Sequence, residues 1–340
     1  MVNYQSTLDA MPKGILVSRI YAQYNCKSGR ISSIPERGIR KIALKIAYDG
    51  RVYHGVQKDP NGLSIGEVLE NALRSTDLYI ESNDIVFCGR TDRGVSAANM
   101  IISLKIKSIL ETYSANPNYH RHIETETYDT YQFNKKEYKR YLLNNSDFEI
   151  KKHDAKELPY DLILNKVLPP QIRVKGWAPV PWNFSARHNC CQRRYTYFFT
   201  CPPQLLPKYQ EAGRIIYKTE DFYNFCTHSK VDANYKFKLS MLEFVSITPI
   251  PSQDTKILCA MNISAYSFLH NMVRKIFSWC ERFAIYNNSS VENIEPADPQ
   301  FLVFMDATFT NSLHFIDSTT TKHPSKDIYT EFEVTKHIYK

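Results

Sequence analysis

The sequence predicts a chain of mixed strands and helices folded as two sheet-bearing lobes. Three observations carry that reading. At 340 residues the chain is long enough for two lobes with a real core. Strand-like alternation recurs on both sides of a polar middle segment, and helical periodicity is interspersed with it rather than segregated. Hydrophobic residues make up 43% and charged residues 23%, the proportions of an ordinary globular protein.

The elements follow in order. Residues 1–40 are mixed and basic, with SGRISSIPERGIRK leading into the first ordered element, and read as a loosely attached extension. KIALKIAY, 41–48, alternates as a core strand does. DGRVYHGVQKDPNG then turns the chain, marked by Asp-Gly and Pro-Asn-Gly. SIGEVLENALRS reads as a helix: Ser64 caps it, Glu67 completes the capping box, and Ile65, Val68, Leu69 and Ala72 form its apolar stripe. After the loop in DIVFCGRTDRGVSA comes an alternating strand, NMIISLKI. Residues 107–157 lack glycine and interleave tyrosines with charges, so they read as an insertion that closes a first lobe at 41–157. The second lobe, 158–310, opens on LPYDLILNKVLPPQIRVKGWAPV as a short helix, a proline stop and a strand. RRYTYFFT, 193–200, is a strand; a helix is expected at 219–227, strands near 240–248 and 257–265, and a helix over 267–284 with Leu269, Met272, Val273, Ile276 and Phe277 on one face. Residues 311–340 form a tail.

Composition narrows the function. A net charge of +8 favours a polyanionic partner, and 23 Tyr and 18 Phe supply rings on which bases could stack. The eight cysteines include no C-x-x-C pair, so no zinc signature is present, and the H-x-E with a following P-C-x-x-C that a zinc deaminase needs is absent. No P-loop, dinucleotide fingerprint or H-E-x-x-H occurs. With no secretory signal and no long apolar run, the expectation is a reducing compartment, free thiols and no membrane contact.

CGRTDRGVSA, 88–97, is the stretch most suggestive of chemistry. It sets Asp92 between Arg90 and Arg93, with Gly89 and Gly94 outside them. Flanking guanidinium charge is expected to hold such a carboxylate ionised, lowering its pKa by roughly 1–3 units. That suits a surface ion pair, a nucleophile, or an acid that stays deprotonated while arginines hold an anion. YDGRVYHGVQ is a second polar stretch. In NFSARHNCCQRRYTY, 183–197, Arg187, Arg193 and Arg194 flank Tyr195 and Tyr197, as a nucleic-acid surface or a half-buried cationic strand would require. Arg274 lies beside an apolar stripe, where an arginine ordinarily snorkels to solvent, and His270 precedes it. A glycosidase of the usual kind needs two carboxylates, and no second acid sits in an equally marked loop.

These residues, in this order, resemble the tRNA pseudouridine synthase family of the TruA type, nearest its eukaryotic Pus1-like branch. IAYDGRVYHGVQ with SIGEVLENAL, CGRTDRGVSA, LNKVLPPQIRV with FSARHNCCQRRYTY, DFYNFC and SFLHNMVRKI carry the resemblance, from residue 41 to about 285. The late block EPADPQFLVF matches loosely, and His270-Asn271 replaces the bacterial family's common pair of histidines. The resemblance implies an α+β pseudouridine synthase fold, in which two α/β lobes share a mostly antiparallel sheet with a basic cleft between them. It implies Asp92 as the catalytic acid, Arg274 as its basic partner, and Tyr195 as the ring that stacks on the flipped base and takes part in removing its C5 proton. Arg90 matches the arginine that enters the RNA stack. Arg187 and Arg193 are expected to bind substrate, and Arg93 to touch phosphate or solvent. The implied partner is tRNA at sites in and around the anticodon arm, with other structured RNA as a further substrate. No cofactor or metal is expected, a monomer is favoured, and the expected location is the nucleus, with cytoplasm and organelle as alternatives. A catalytically inactive RNA-binding or RNA-chaperone protein of the same fold is the competing expectation; a metal-dependent nuclease, which normally gathers several acids, is a weaker third.

Overall fold

A computed structural model describes residues 38–60, 62–81, 84–108, 157–227, 235–247, 256–310 and 312–316. The basic extension up to residue 37, residues 109–156 of the polar segment and the tail from 317 lie outside the described residues. In chain order the elements are β1 (Gly38–Tyr48), α1 (Ile65–Ser75), β2 (Val86–Phe87), β3 (Ser96–Ser108), α2 (Tyr160–Asn165), β4 (Ile172–Pro179), β5 (Cys190–Cys201), α3 (Leu206–Tyr217), β6 (Met241–Ser246), β7 (Ile257–Ala265), α4 (Met272–Tyr286) and β8 (Leu302–Phe309).

The eight strands form one mixed, mostly antiparallel sheet in an α+β fold. Its order is β4-β1-β3-β8-β5-β7-β6, with β2 also paired to β3. β3 and β8 run parallel, and the other ladders are antiparallel. That parallel junction is short, registering Ser96 with Val303 and Ala97 with Phe304. Farther along the same edge of β3, Val86 and Phe87 of β2 pair with Ser103 and Ile102. The loop 88–95 therefore leaves β2 and enters β3 where the edge of β3 changes partner.

Burial follows the period of two that a pleated sheet imposes. Ala97, Tyr197, Phe199, Cys259, Met261 and Phe304 join the large core under the helices. Their chain neighbours Ala98, Phe198, Ala260, Val303 and Met305 form a small apolar cluster by themselves, as residues on the opposite face must. Helix α1 packs its stripe of Ile65, Val68, Leu69 and Ala72 into the core, and Leu73 extends it. Its start is the capping box read from the sequence: Glu67 N–H donates to the Ser64 hydroxyl while Ser64 N–H donates to Glu67 Oε2.

Two sequence expectations need correction, and two features of the fold were not foreseen. The helix expected at 219–227 is only a 3-10 turn, Tyr223–Phe225, and the helix in this region is α3. Pro207 and Gly213 obscured α3, yet proline is tolerated in a first helical turn. At Gly213 a Cβ would lie 3.0 Å from the Phe244 ring, so glycine lets α3 sit close to β6. The helix expected over 267–284 begins instead at Met272, because Asn271 adopts a left-handed conformation, φ 60°, and frees 267–271 as a loop. β8 was not foreseen, since its run LVFM is buried on both faces and does not alternate. Finally, part of the tail is ordered: Ile316 and Trp177 exchange backbone hydrogen bonds along the outer edge of β4.

Candidate active site

The loop 88–95 is held from several sides. Tyr48, at the end of β1, shares a 2.8 Å hydrogen bond with the Thr91 hydroxyl, and both residues are buried. Gly94 N–H donates to the Tyr53 carbonyl, and Val95 N–H to the carbonyl of Asp92. The turn after β1 presses against this loop at Gly55, which has φ +81°; a Cβ there would stand 2.7 Å from the Thr91 carbonyl oxygen. Both the positive φ and the close approach call for glycine at that point.

Asp92 projects from this braced loop into a cavity of about 580 Å³. Its Oδ2 lies 3.8 Å from Arg274 Nη1 and its Oδ1 lies 3.7 Å from His270 Nε2. Local charge in the sequence pointed to Arg90 and Arg93, but both of those side chains are exposed; the close partners come from far along the chain, Arg274 as the resemblance implied and His270 beside it. The expected pKa direction is also reversed. Burial pushes the Asp92 carboxyl above the usual carboxylate range, and His270 and Arg274 only partly offset it. Arg274 does not snorkel: its side chain is 13% exposed. Nε donates to the Ala297 carbonyl and Nη1 to Asn271 Oδ1 at 2.9 Å. Asn271 Nδ2 in turn donates to Thr227 Oγ1 at 3.0 Å, so the loop before α4 orients the arginine.

Tyr195 comes up from β5 beneath the same loop. A Cβ at Gly89 would lie 3.6 Å from its hydroxyl. Its ring is held edge-on by Phe268 and Phe304, with centroids 5.2 and 5.1 Å away. Burial is the main cause that raises its phenol well above the ordinary tyrosine value, so it is protonated at neutral pH. A neutral phenol can donate a hydrogen bond but is not a base.

Six of the residues singled out from the sequence line this one cavity: Arg90, Asp92, Arg187, Arg193, Tyr195 and Arg274. Arg187 is exposed on the rim, and its guanidinium is pushed down by partial burial and by Arg90 and Arg193 beside it. Arg193 is placed differently from a free phosphate ligand, since its donors reach backbone carbonyls. Arg194 points away and pairs with Asp306 at 2.6 Å. Among the described lining residues Asp92 is the one carboxylate, and five arginines share the lining with it. Sequence reasoning missed Phe268 and Phe304, which fix Tyr195, and no local signal marked them.

Comparison with known proteins bears on this arrangement. The human tRNA pseudouridine(38/39) synthase is 32% identical over 260 residues, covering 73% of this chain and 48% of that protein. The mouse protein of the same name is 33% identical over 261 residues, with the same shares. A tRNA pseudouridine synthase A from the archaeon Methanothrix thermoacetophila is 27% identical over 305 residues, covering 86% of this chain and 91% of that protein. Over most of its length the chain is similar to proteins named tRNA pseudouridine synthase. It spans about half the length of the mammalian relatives it matches and nearly all of the archaeal one. No family model matches it. A solved structure of an unknown protein from Galdieria sulphuraria covers 67% of the chain at 10% identity and a TM-score of 0.16, too slight a likeness to carry an argument.

Proposed function

We propose that the protein isomerises uridine to pseudouridine in tRNA, with Asp92 as the reacting acid. The observation that supports this best is the cavity itself, whose described lining holds one half-buried carboxylate, paired with Arg274, and five arginines. That is the balance suited to a polyanionic substrate and a single reacting acid. In the proposed reaction the N1–C1′ bond of uridine breaks with the help of Asp92. The uracil turns, C5 joins C1′, the C5 proton leaves and N1 takes up a proton, so the atoms of substrate and product are the same. No cofactor takes part in this scheme.

The protonated phenol of Tyr195 is unsuited to accept the C5 proton. Tyr195 serves as a platform for the flipped base, and Asp92, whose basicity burial increases, is the better acceptor. Arg90 enters the stack vacated by the base, offsetting an unstacking cost of a few kcal/mol, and Arg187 meets phosphate on the rim.

In this reading the sheet is divided into two lobes, 41–157 and 158–310 in sequence, with a basic cleft between them that receives the RNA. β4, although it follows residue 158, sits beside β1 on the first side of the sheet. The names of the mammalian relatives specify positions 38 and 39; we propose the same anticodon-arm positions here, with other structured RNA as a secondary substrate. A nuclear monomer is the proposed working form. The test is direct: incubate the purified chain with unmodified tRNA transcripts and map pseudouridine by nucleotide position. Pseudouridine at 38 or 39 is the expected result, and its absence throughout the tRNA would overturn the proposal.

A further inference from the structure

We infer that Arg193 is a positioning residue for Asp92, a clip that fixes the acid's loop against the segment carrying His270. Its Nε donates to the Cys88 carbonyl at 2.7 Å. Nη1 donates to the carbonyls of Tyr266 and Cys190, and Nη2 to that of Arg187 at 2.9 Å. Cys88 lies four residues before Asp92 (92 − 88), and Tyr266 lies four before His270 (270 − 266). One guanidinium thus anchors, at matched distances along the chain, the two segments whose side chains meet at 3.7 Å.

The location gives this clip its importance. Cys88 belongs to the first side of the sheet, and Arg187, Cys190, Arg193 and Tyr266 belong to the second. Between them β3 and β8 register only Ser96 with Val303 and Ala97 with Phe304. With so short a backbone ladder, the relative placement of the acid and its partners depends on side chains that cross it. Arginine suits the task because its planar fork carries five N–H donors, whereas lysine carries the same charge as a point. Four carbonyls engage all three guanidinium nitrogens. A guanidinium so committed lacks the two parallel N–H groups that bidentate phosphate recognition uses.

This inference rests on the proposed function for its kinetic test, and a second readout is independent of activity. Arg193→Lys and Arg193→Gln would be compared with the unaltered chain in single-turnover pseudouridine formation at saturating tRNA. Alongside, tRNA affinity would be titrated from 50 to 200 mM salt, and the Asp92 carboxyl titration followed by carbon NMR. We expect both variants to lose about 10²-fold in rate, the cost of misplacing a reacting group by ~1 Å, with the log–log salt slope unchanged. Lysine is expected not to rescue. The groups facing Asp92 are His270 on the preceding loop, Arg274 on α4 and Tyr195 on β5. Releasing the His270 segment removes a charge that lowers the Asp92 pKa, so its titration should move to higher pH.

A normal rate with a salt slope shallower by about one unit would make Arg193 a phosphate contact and overturn the inference. So would an Asp92 titration that stays in place or moves down in Arg193→Lys, or loss of folding in both variants, which would make the guanidinium a determinant of the fold. If the unaltered chain forms no pseudouridine, the proposed function fails while the Asp92 titration still decides the role of Arg193.

Discussion

The two edges of β3 are built in opposite ways. Along one edge β1 pairs with it from Gly38↔Ser108 to Tyr48↔Ala97, with one irregularity near the end. Along the other, β8 meets it at two positions and the short β2 at two more. The first edge is a long antiparallel ladder in which every neighbour reinforces the next. The second is a seam, and the candidate active site lies on it. Asp92 stands on one side of that seam; Arg274, His270, Tyr195 and Arg193 stand on the other. Groups on the ladder side should therefore govern stability, and groups reaching across the seam should govern chemistry.

Asp92→Asn should break this division most visibly. Pseudouridine formation is expected to fall below detection in a tritium-release assay from C5-labelled uridine, with tRNA binding retained. Stability should move the other way. Burial holds the folded carboxyl above its unfolded value, so between the ordinary value of about 3.9 and the raised one the folded state binds more protons. Stability then falls as pH rises through that window and stays lower above it. The asparagine variant is expected to melt at or above the unaltered protein at pH 7, by no more than about 2–4 °C, and the gap should close below about pH 4. Melting curves across pH check the sign; a large destabilisation at pH 7 would mean that the acid braces the fold.

Arg274→Gln comes next. Removing this charge takes away one of the two influences that lower the Asp92 pKa, so the acid limb of the rate–pH profile should shift upward. A rate loss of about 10²-fold should accompany it, with little change in urea midpoint. An acid limb that does not move would separate Arg274 from Asp92 in function.

The ladder side should respond in the opposite sense. Gly55→Ala combines a left-handed backbone with a 2.7 Å approach to the Thr91 carbonyl, and is expected to cost about 2–4 kcal/mol in urea unfolding. Tyr48→Phe, the mildest change, removes one buried hydrogen bond and should cost about 1–2 kcal/mol. Its single-turnover rate should fall by less than about tenfold, which is ~1.4 kcal/mol in barrier height. A rate loss matching that of Arg274→Gln would show that the ladder side sets chemistry too.

What could be read from the sequence divides along similar lines. The capping box at Ser64 and Glu67, the alternation of β1, β5 and β7, and the apolar face of α4 are local patterns written within a few residues of one another. The long-range partners are not. Asp92 and Arg274 are 182 positions apart (274 − 92), and nothing near Asp92 indicates that its close arginine is Arg274 rather than the exposed Arg90 or Arg93. Local charge suggested a lowered pKa, whereas the tertiary burial that raises it depends on the whole cavity wall. β8 escaped notice because a strand buried on both faces loses its alternation. The resemblance to a known family implied Asp92 as the catalytic acid and Arg274 as its partner, yet only the packed structure revealed that Arg193 holds carbonyls.

The central position of β8 also sets a timetable for the growing chain. It lies between β3 and β5 but is made after both, and Ser96 waits for a partner 207 positions later (303 − 96). At a synthesis rate of about 5–20 residues per second, β5 spends roughly 5–20 s with the edge destined for β8 uncovered. That edge carries RRYTYFF, an aromatic segment suited to pairing with any strand that reaches it first. Each side of the sheet can gather its own hairpins during this interval, while the cavity around Asp92 still lacks the joint that brings its two walls together. The candidate site is thus completed in one late step, when residues 302–309 slide into the gap and the newborn protein stops being two half-sheets.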